Sequence, residues 1–403
     1  MLSQSCCIYK VPHLIRQGNE EAYTPNLVSI GPLHYGNPRL QNMERHKQLL
    51  FKQFIDSTET RLEDLIKCVE SAVPKVRACY SENIDLSERE LVKLILVDAT
   101  FIIQLFIMWD ETDYELFKAG SFFSTPFFRT NIFDDLLLLE NQLPFFVLQD
   151  LFNRAFPPHV CKDLKLPSFL ELTFKSFRFY NMQNVKPNPD TRINHFTDLL
   201  RIFYLQKDKS KRSTSTFKYR SNVLSYGASE LHEAGVKLKE LKGSKCILEL
   251  KFSGRDLEIP PILVEGRTET LFRNMIALEQ FHYPYESYIT HYAMLMDCLI
   301  NTSKDVDVLV HQQIINNMFA DSNDVAKIFN GIGNGIVYGN FNSDYHEICT
   351  RLNEFFGNPW NNLKATLRND YCNTPWKTAA SIAAIVLLVL TILQTICSVI
   401  QLV

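Results

Sequence analysis

The most distinctive hydrophobic pattern of the chain lies at its C-terminal end, where residues 379–403 carry no charge. An apolar run of this length is typical of a membrane-spanning helix. At ~1.5 Å per residue it reaches roughly 37 Å, enough to cross a hydrocarbon core of about 30 Å with some tilt. A buried core helix is the alternative, but such helices normally carry a polar stripe or a charge within this length. We therefore predict a transmembrane anchor over 376–403, with 379–403 in contact with the membrane.

The charges beside this run predict its orientation. Lys364, Arg368 and Lys377 precede the run, and no Lys or Arg follows it. By the positive-inside bias, the preceding body is expected in the cytosol. Residues 1–17 contain no apolar stretch of signal-peptide length, and a glycolipid anchor would need such a signal. We predict a tail-anchored, single-pass protein. The plasma membrane and the endoplasmic reticulum are the favoured membranes, and the sequence does not select between them.

The body shows mostly helical periodicity after a turn-rich arm over residues 1–40. Helices are expected over 43–55, 59–73, 87–109, 134–152, 268–301, 305–317, 322–330 and 343–367. In the first, Leu49, Leu50, Phe54 and Ile55 share one apolar face. Two prolines bear on these limits because proline lacks the N–H donor that a helix interior uses. The residue at 74 is expected to end the second helix, and the one at 144 to divide the fourth.

A β signal follows a polar, basic stretch. Residues 207–220 are almost free of apolar side chains, which indicates a mobile loop or a linker. Residues 246–252 then alternate in polarity, 253–256 form a turn, and 257–264 return as a second strand. Pro260 and Pro261 either confine the return strand to a sheet edge or split it.

These patterns together predict a mainly α fold. We expect a multi-helix cytosolic body with a small antiparallel β element and one C-terminal transmembrane helix. The predicted divisions are a turn-rich arm with an N-terminal helical part (1–203), the basic loop (204–220), a C-terminal part with the β-hairpin (221–375), and the anchor (376–403).

Composition and motifs favour binding over catalysis. A net charge of −3 gives no basic footprint for nucleic acid. The ten cysteines show no C-x-x-C spacing, as expected for reduced cytosolic thiols. Acylation of the adjacent Cys6 and Cys7 is an alternative use of those two. The GIGNG sequence at 331–335 lacks the Lys-Ser/Thr ending of a phosphate loop, and neither H-E-x-x-H nor G-x-S-x-G occurs. We predict no catalytic residues, cofactor or metal, and therefore no enzyme.

Asp98 is the most unusual polar residue of the body. It lies on the same helix face as Leu91, Leu94, Ile95 and Ile102. A buried carboxylate must find donors or its pKa rises. We interpret Asp98 as structural, accepting hydrogen bonds from Arg45, His46 or a helix terminus, with a functional acid as the alternative.

Glu140, Asn141 and Gln142 form a second polar group in apolar surroundings, between LLLL and LPFF. We interpret them as structural residues that cap the break before Pro144. A ligand site built on Glu140 is the alternative.

The predicted membrane helix carries small and polar residues on one side. At 100° per residue, these residues are Ala380, Ala384, Thr391, Gln394, Thr395 and Ser398. Small residues allow close helix approach, and hydroxyl or amide groups can hydrogen-bond across helices. We predict self-association or pairing with a partner helix through this stripe, and a passive anchor is the alternative.

Several blocks of the chain resemble a known plant family. The arm IYKVPHLIRQGNEEAYTPNLVSIGPLHYG, then MERHK, DATFIIQLF, DDLLLLENQLPFFVLQDLF and SNVLSYGASELHEAGVKLK, occur in the family's order. The family is the plant domain of unknown function 247, or uncharacterised protein family 0481. The resemblance implies a single-pass plant membrane protein without assigned biochemistry or catalytic residues. Some grass members are implicated in self-incompatibility, which is a recognition role.

The expected function is therefore recognition at a membrane surface, with an unknown protein as partner. An enzyme with dispersed catalytic residues is the runner-up. A small-ligand receptor is a third class, and it would need a pocket around the apolar blocks at 98–109 and 134–152.

Overall fold

The structure is a computed structural model that describes residues 3–110, 123, 125–208, 212, 216–218, 224–337, 340–360, 363 and 375–401. For 216–218, 340 and 398–401 only the backbone is described. The helices are α1 (His13–Arg16), α2 (Gln41–Ser57), α3 (Leu62–Ala78), α4 (Glu88–Asp110), α5 (Pro126–Leu136), α6 (Phe145–Ala155), α7 (Pro158–Asp163), α8 (Phe169–Ser176), α9 (Phe196–Tyr204), α10 (Ala228–Glu233), α11 (Thr268–His282), α12 (Tyr288–Leu299), α13 (Ser303–His311), α14 (Ser322–Ile332), α15 (Ser343–Gly357) and a C-terminal helix (Pro375–Gln401). The strands are β1 (Thr216–Lys218), β2 (Lys237–Glu240), β3 (Lys251–Ser253), β4 (Asp256–Ile259), β5 (Ile262–Val264), β6 (Ile315–Asn317) and β7 (Asn340–Asn342). The prediction of a mainly α fold is confirmed.

Helix α4 is the centre of the N-terminal half. Its capping box forms as predicted, because Ser87 Oγ accepts from the Glu90 N–H and the Glu90 carboxylate accepts from the Ser87 N–H. Helices α2, α3, α6 and α8 pack around it. The predicted face of α2 is partly wrong. Leu49 is 61% exposed, and the buried side instead contains Met43, Lys47, Leu50 and Phe54.

Pro74 does not end α3, which continues to Ala78. The proline removes one backbone hydrogen bond, but Val69, Val73 and Val76 are buried between α4 and α6 on both sides of it. Burial of that apolar face outweighs the lost bond. The pair predicted over 134–152 is also corrected, since α5 ends at Leu136 and α6 begins at Phe145.

The β structure is more mixed than predicted. β3 and β4 form the expected antiparallel hairpin, although β3 starts only at Lys251. The two prolines split the return strand into β4 and β5, as one of the two predictions had it. β4 then pairs in parallel with β2, and β5 in parallel with β6. β6 lies inside the helix expected over 305–317, which ends at His311 because Gln313 takes a left-handed φ of 59°.

One hydrophobic cluster extends from Cys7 to Leu352 and so includes residues before and after the predicted loop at 204–220. Of that loop the structure describes 204–208, 212 and β1, and β1 pairs antiparallel with β7. The rest of the predicted loop lies outside the described residues.

Two described helices are long and apolar enough to cross a membrane. Their surroundings differ, because 78% of the apolar window in Glu88–Asp110 is buried in the body whereas none of the window in Pro375–Cys397 is. The sequence therefore predicted the C-terminal helix correctly, and its apolar surface is left uncovered.

Candidate functional site

The sequence-predicted polar residues meet beneath the N-terminal arm, defined here as residues 3–37. We call Asp98, Asp135, Glu140, Asn141 and Gln142 the polar centre. All five are at most 2% exposed. Each side chain bonds to backbone groups or side chains of the arm or of the segment that follows α5, as the next paragraphs describe.

Asp98 accepts hydrogen bonds from the Lys47 ammonium at 2.5 Å and from the Gly31 N–H at 2.8 Å. The predicted donors Arg45 and His46 are wrong: Arg45 is exposed and His46 bonds to the Asn42 carbonyl. The reason is helical geometry, since Lys47 lies on the buried face of α2 and its neighbours do not.

The ion pair of Asp98 and Lys47 is fully enclosed. Burial raises the pKa of the Asp98 carboxyl above its ordinary value, while Lys47 and the Gly31 N–H oppose that rise. Burial acts against the charge of Lys47, yet the carboxylates of Asp98 and Glu44 raise the pKa of its ammonium. Lys47 also donates to the Ser29 carbonyl at 2.9 Å. The pair therefore joins the arm, α2 and α4.

Asp135 is a member of the polar centre that sequence reasoning missed. Its carboxylate accepts three consecutive backbone N–H groups of the arm, those of Asn26, Leu27 and Val28, at 2.7 to 2.9 Å. Burial raises the pKa of Asp135 to about 6, against the lowering effect of these bonds. Its position before the apolar run LLLL was the available signal.

The three residues at 140–142 bind different partners. Glu140 accepts from the Val11 N–H at 2.7 Å and from Arg16 at 2.6 Å. Asn141 accepts from the Ile30 N–H and donates to the Val28 carbonyl. The Gln142 amide donates to the carbonyls of Leu136 and Leu138, at the end of α5. The contacts of Gln142 fit the interpretation as a capping residue, whereas those of Glu140 and Asn141 attach the arm, and the structural role of all three stays a prediction.

An apolar cleft on another face is the stronger candidate for binding. It has a volume of about 320 Å³, within the range of small-molecule and peptide sites. Its lining comes from the turn after α8, from α9, from the segment before β3, from β5 and from the start of α11. Phe203, Leu271 and Phe272 form buried parts of the lining.

Three apolar side chains of the cleft face solvent. Phe179 is 65% exposed, Met182 68% and Leu263 48%. The turn that carries the first two is held by Gln183, whose amide donates to the Phe203 and Leu205 carbonyls at 2.7 and 2.9 Å. Exposed apolar side chains on a fixed turn, grouped around a cavity, are typical of a contact surface.

Charges occur at two places in the cleft. Arg267 pairs with Glu265 at 2.7 Å, and its guanidinium lies 5.2 Å from the centre of the Tyr180 ring. Lys245 is exposed and has no ion-pair partner within the part of the chain that the structure describes. An acidic group on a partner could therefore pair with Lys245 without breaking a contact.

The blocks proposed for a ligand pocket behave differently. In α4, Phe101, Ile102, Leu105 and Phe106 are completely buried. A filled core at 98–109 favours an interaction protein over a small-ligand receptor, whereas residues 144–146 and 149 of the second block line an open cleft of about 460 Å³. Metal chemistry gains no support, since no group of three or more His, Cys, Asp or Glu residues in the described part could hold an ion.

The stripe on the C-terminal helix is exposed at Ala380, Ala384, Thr391, Gln394 and Thr395. The side chain of Ser398 lies outside the described residues. Both threonine hydroxyls donate at 2.8 Å to the backbone carbonyl four residues earlier. The hydroxyls are thus satisfied within the helix, which leaves the Gln394 amide as the stripe's main group for a bond across helices.

Residues 8–390 match the model of DUF247, a plant protein of unknown function. The chain belongs to this family. Among its relatives in Arabidopsis thaliana, the UPF0481 protein At3g47200 is 30% identical over 97% of this chain and 86% of the relative. The putative UPF0481 protein At3g02645 is 22% identical over 96% of this chain and 89% of the relative. No solved structure matches the chain.

The family assignment confirms the resemblance seen in the sequence. Two blocks that carried it, the arm and residues 134–152, meet in the polar centre. These blocks therefore contain the contacts that attach the arm to the body. The exposed residues of the apolar cleft, Phe179, Met182 and Leu263, lie outside these blocks.

Proposed function

We propose that this DUF247 protein is a membrane-anchored recognition protein whose cytosolic body binds an extended segment of a protein partner in the apolar cleft. The observation that supports the proposal is the position of β5. Strand β5 pairs with β6 on one side and borders the cleft on the other.

The edge of β5 has the geometry for adding a strand. The Ile262 N–H donates to the Ile314 carbonyl, and the Val264 carbonyl accepts from the Met318 N–H, so both residues face β6. In a parallel ladder the intervening Leu263 directs its backbone groups to the opposite side. Three consecutive residues, 261–263, line the cleft. Side chains of a strand alternate between the two faces of a sheet, so three residues in a row border the same cavity only where the edge of the strand forms its wall. Such an edge is a template for an extended peptide.

The side chains of the cleft specify the partner's chemistry. Phe179, Met182 and Leu263 would cover apolar side chains of the bound segment. Lys245 would pair with an acidic residue beside them. We therefore expect an extended segment with alternating apolar residues and a nearby Asp or Glu.

The C-terminal helix is the proposed anchor. Its uncovered apolar window would be buried by lipid, and Lys377 at its start favours a cytosolic body. Tail anchoring would keep the cleft close to the membrane surface.

Fractionation of plant cells tests the anchor. The full chain, tagged at its N-terminus, is expected in the membrane pellet after alkaline carbonate extraction, and a chain without 375–403 in the supernatant. Protease treatment of sealed vesicles should remove the tag from the full chain. A soluble full chain, or a protected tag, would contradict the anchor or its orientation.

Proximity labelling from the same tag tests the cleft. Met182→Asp should lower labelling of the partners at least tenfold, whereas Leu49→Asp, which alters a residue 61% exposed on α2, should leave labelling unchanged. Equal labelling by the two variants would reject the cleft as the docking site.

A small apolar ligand is the second candidate occupant, because the cleft volume also suits one. Proline at position 263 separates the two candidates. Leu263→Pro keeps an apolar side chain but removes the N–H that an added strand would use, and an edge strand tolerates it. Loss of partner labelling in Leu263→Pro, with normal labelling in Leu263→Met, is expected for strand addition. Unchanged labelling in both would favour the small ligand.

A further inference from the structure

Cys7 of the arm lies directly beside Cys79 at the end of α3. The N–H groups of Cys7 and Ile8 both donate to the Cys79 carbonyl at 2.9 Å, and Ile8 forms a parallel bridge with Tyr80. The two segments are thus neighbours at the spacing of paired strands, about 4.8 Å. A disulfide joins Cα atoms about 4.4 to 6.8 Å apart, a range that includes the spacing of paired strands.

The two thiols affect each other's pKa. The hydrogen bond from Cys7 lowers the pKa of the Cys79 thiol, burial opposes this, and Lys75 and Arg192 lower it further. The same hydrogen bond, together with burial, raises the pKa of Cys7. Cys79 is therefore the group that ionises first, and Cys7 keeps its proton beside it. The protonated Cys79 thiol donates a hydrogen bond to the Lys75 carbonyl at 3.2 Å. This bond lies at the end of α3 and does not involve Cys7.

Both residues line an open cleft of about 460 Å³, together with Ser5, Lys75 and Arg192. Each is only 4 to 5% exposed, so the sulfur atoms are reached from this cleft and not from the outer surface. The cleft is large enough for a small oxidant. Burial of Cys6 and Cys7 also speaks against the acylation considered from the sequence.

We propose that Cys7 and Cys79 form a reversible disulfide on exposure to hydrogen peroxide and that this bond locks the N-terminal arm to α3. The Cys79 thiolate attacks the peroxide O–O bond, giving a sulfenic acid and hydroxide, which takes a proton to become water. The Cys7 sulfur then attacks the Cys79 sulfur, the S–OH bond breaks, and the leaving hydroxide takes the Cys7 proton. Two thiols are oxidised to one disulfide, and one peroxide is reduced to two water molecules. A dithiol reductant reverses the change.

The consequence is a covalent closure of the arm. In the reduced protein the arm is held by hydrogen bonds to the polar centre, such as those of Val11 to Glu140 and Gly31 to Asp98. A bond between Cys7 and Cys79 limits opening of the arm even where those contacts break, because it constrains the unfolded chain. Oxidation should therefore raise the unfolding temperature and slow proteolysis of the arm.

Peptide mapping of the full chain in detergent micelles tests the proposal. The protein is treated with hydrogen peroxide, its free thiols are blocked with N-ethylmaleimide, and its peptides are analysed by mass spectrometry. We expect a linked peptide that contains Cys7 and Cys79 and that dithiothreitol separates. Absence of the link at a peroxide dose that already oxidises Cys161 would overturn the proposal, as would a link from Cys79 to Cys6.

Three variants assign the roles. Cys7→Ser should leave a Cys79 sulfenic acid that dimedone traps, and Cys79→Ser should give neither the link nor the trapped acid. Cys6→Ser should form the link as the wild type does. Unfolding curves of the variants show whether each is folded, and the wild-type map decides the proposal even if a variant is not.

Discussion

Buried charge is the main feature at the scale of single residues. Asp98, Asp135 and Glu140 would each be costly in the core without donors, and each is paired with backbone N–H groups of the arm. A charge held in this way stabilises little by itself, but removing its partner leaves an uncompensated buried group. The arm and the body therefore depend on each other.

Substitution of Asp98 tests the structural interpretation. Asp98→Asn should lower the free energy of unfolding by ~3 kcal/mol, because Lys47 loses its buried carboxylate partner and keeps only the partly exposed Glu44. Partner labelling should change less than stability. Chemical denaturation of the full chain in micelles measures the loss, with the exposed Asp85→Asn as control. Unchanged thermal stability of Asp98→Asn would contradict the structural interpretation.

Gly31 permits the arm's close approach to the body. Its φ is +72°, and an added Cβ would collide with the Gln142 carbonyl oxygen and lie 3.0 Å from the Tyr80 hydroxyl. Gly36 has a similar φ of +80° but open space around it. Gly31→Ala should therefore destabilise the protein by ~2 kcal/mol more than Gly36→Ala in the same denaturation experiment. Equal effects would show that backbone strain alone matters.

His195 predicts a loss of stability in acid. Burial lowers its pKa from the ordinary 6.5 to about 4, and it bonds to the Cys7 carbonyl at 2.9 Å. The unfolded chain binds this proton more tightly than the folded protein does. The contribution of neutral His195 to the free energy of unfolding is therefore fully present above pH 6.5. It decreases by up to ~3 kcal/mol as the pH falls towards 4. Asp135 has the opposite effect between about pH 4 and pH 6, because its raised pKa makes the folded protein bind the proton more tightly than the unfolded chain does. The wild type should therefore be compared with His195→Gln at pH 7 and 4.5. Parallel pH profiles would contradict the prediction.

At the scale of elements, two helices of similar apolar composition differ in their burial. α4 is surrounded by α2, α3, α6 and α8, whereas the C-terminal helix keeps its apolar surface uncovered. Among the stripe's described side chains, Ala380, Ala384 and the Gln394 amide are the groups for pairing of the C-terminal helix, because the hydroxyls of Thr391 and Thr395 are already bonded within the helix.

A reporter of membrane-helix association tests this pairing. With residues 375–403 as the insert, Gln394→Leu combined with Ala384→Leu should abolish association, since the bulky leucine prevents close approach and the amide bond is lost. Val389→Leu is the matched control, and it should keep the wild-type signal. A wild-type signal from the double variant would show that the helix is a passive anchor.

At the scale of the whole molecule, we expect the body and the C-terminal helix to be energetically separate. Within the residues that the structure describes, the hydrophobic cluster from Cys7 to Leu352 does not extend into that helix, of whose apolar window nothing is buried. The body's stability should therefore come from its own core and its clamped arm.

Two truncations test this separation. Deletion of 375–403 should leave the unfolding temperature of the body within about 2 °C of the full chain, a shift that corresponds to only ~1.5 kcal/mol for a body of roughly 370 residues. Deletion of 3–31 should abolish cooperative unfolding, since the polar centre loses its donors. Circular dichroism during heating measures both. A large shift in the first truncation would reveal contacts between helix and body.

Features that depend on a local pattern could be predicted from the amino-acid sequence. The uncharged run at 379–403, the capping box of α4, the buried face with Asp98 and the turn at 253–256 are all readable because periodicity and turn chemistry act over a few residues. Family membership could be predicted for the same reason, because each block that carries the resemblance is a continuous stretch of the sequence.

Contacts between groups far apart in the chain could not be predicted and became visible in the folded protein. The sequence placed Asp98 in the core but named the wrong donors, and it missed Asp135, the parallel pairing of β5 with β6, and the contact of Cys7 with Cys79. Pro74 shows the same limit, because burial of α3 against α4 and α6 overrode a local helix-ending signal. Each of these depends on the free energy of contacts between segments far apart in the chain, which local propensity does not contain.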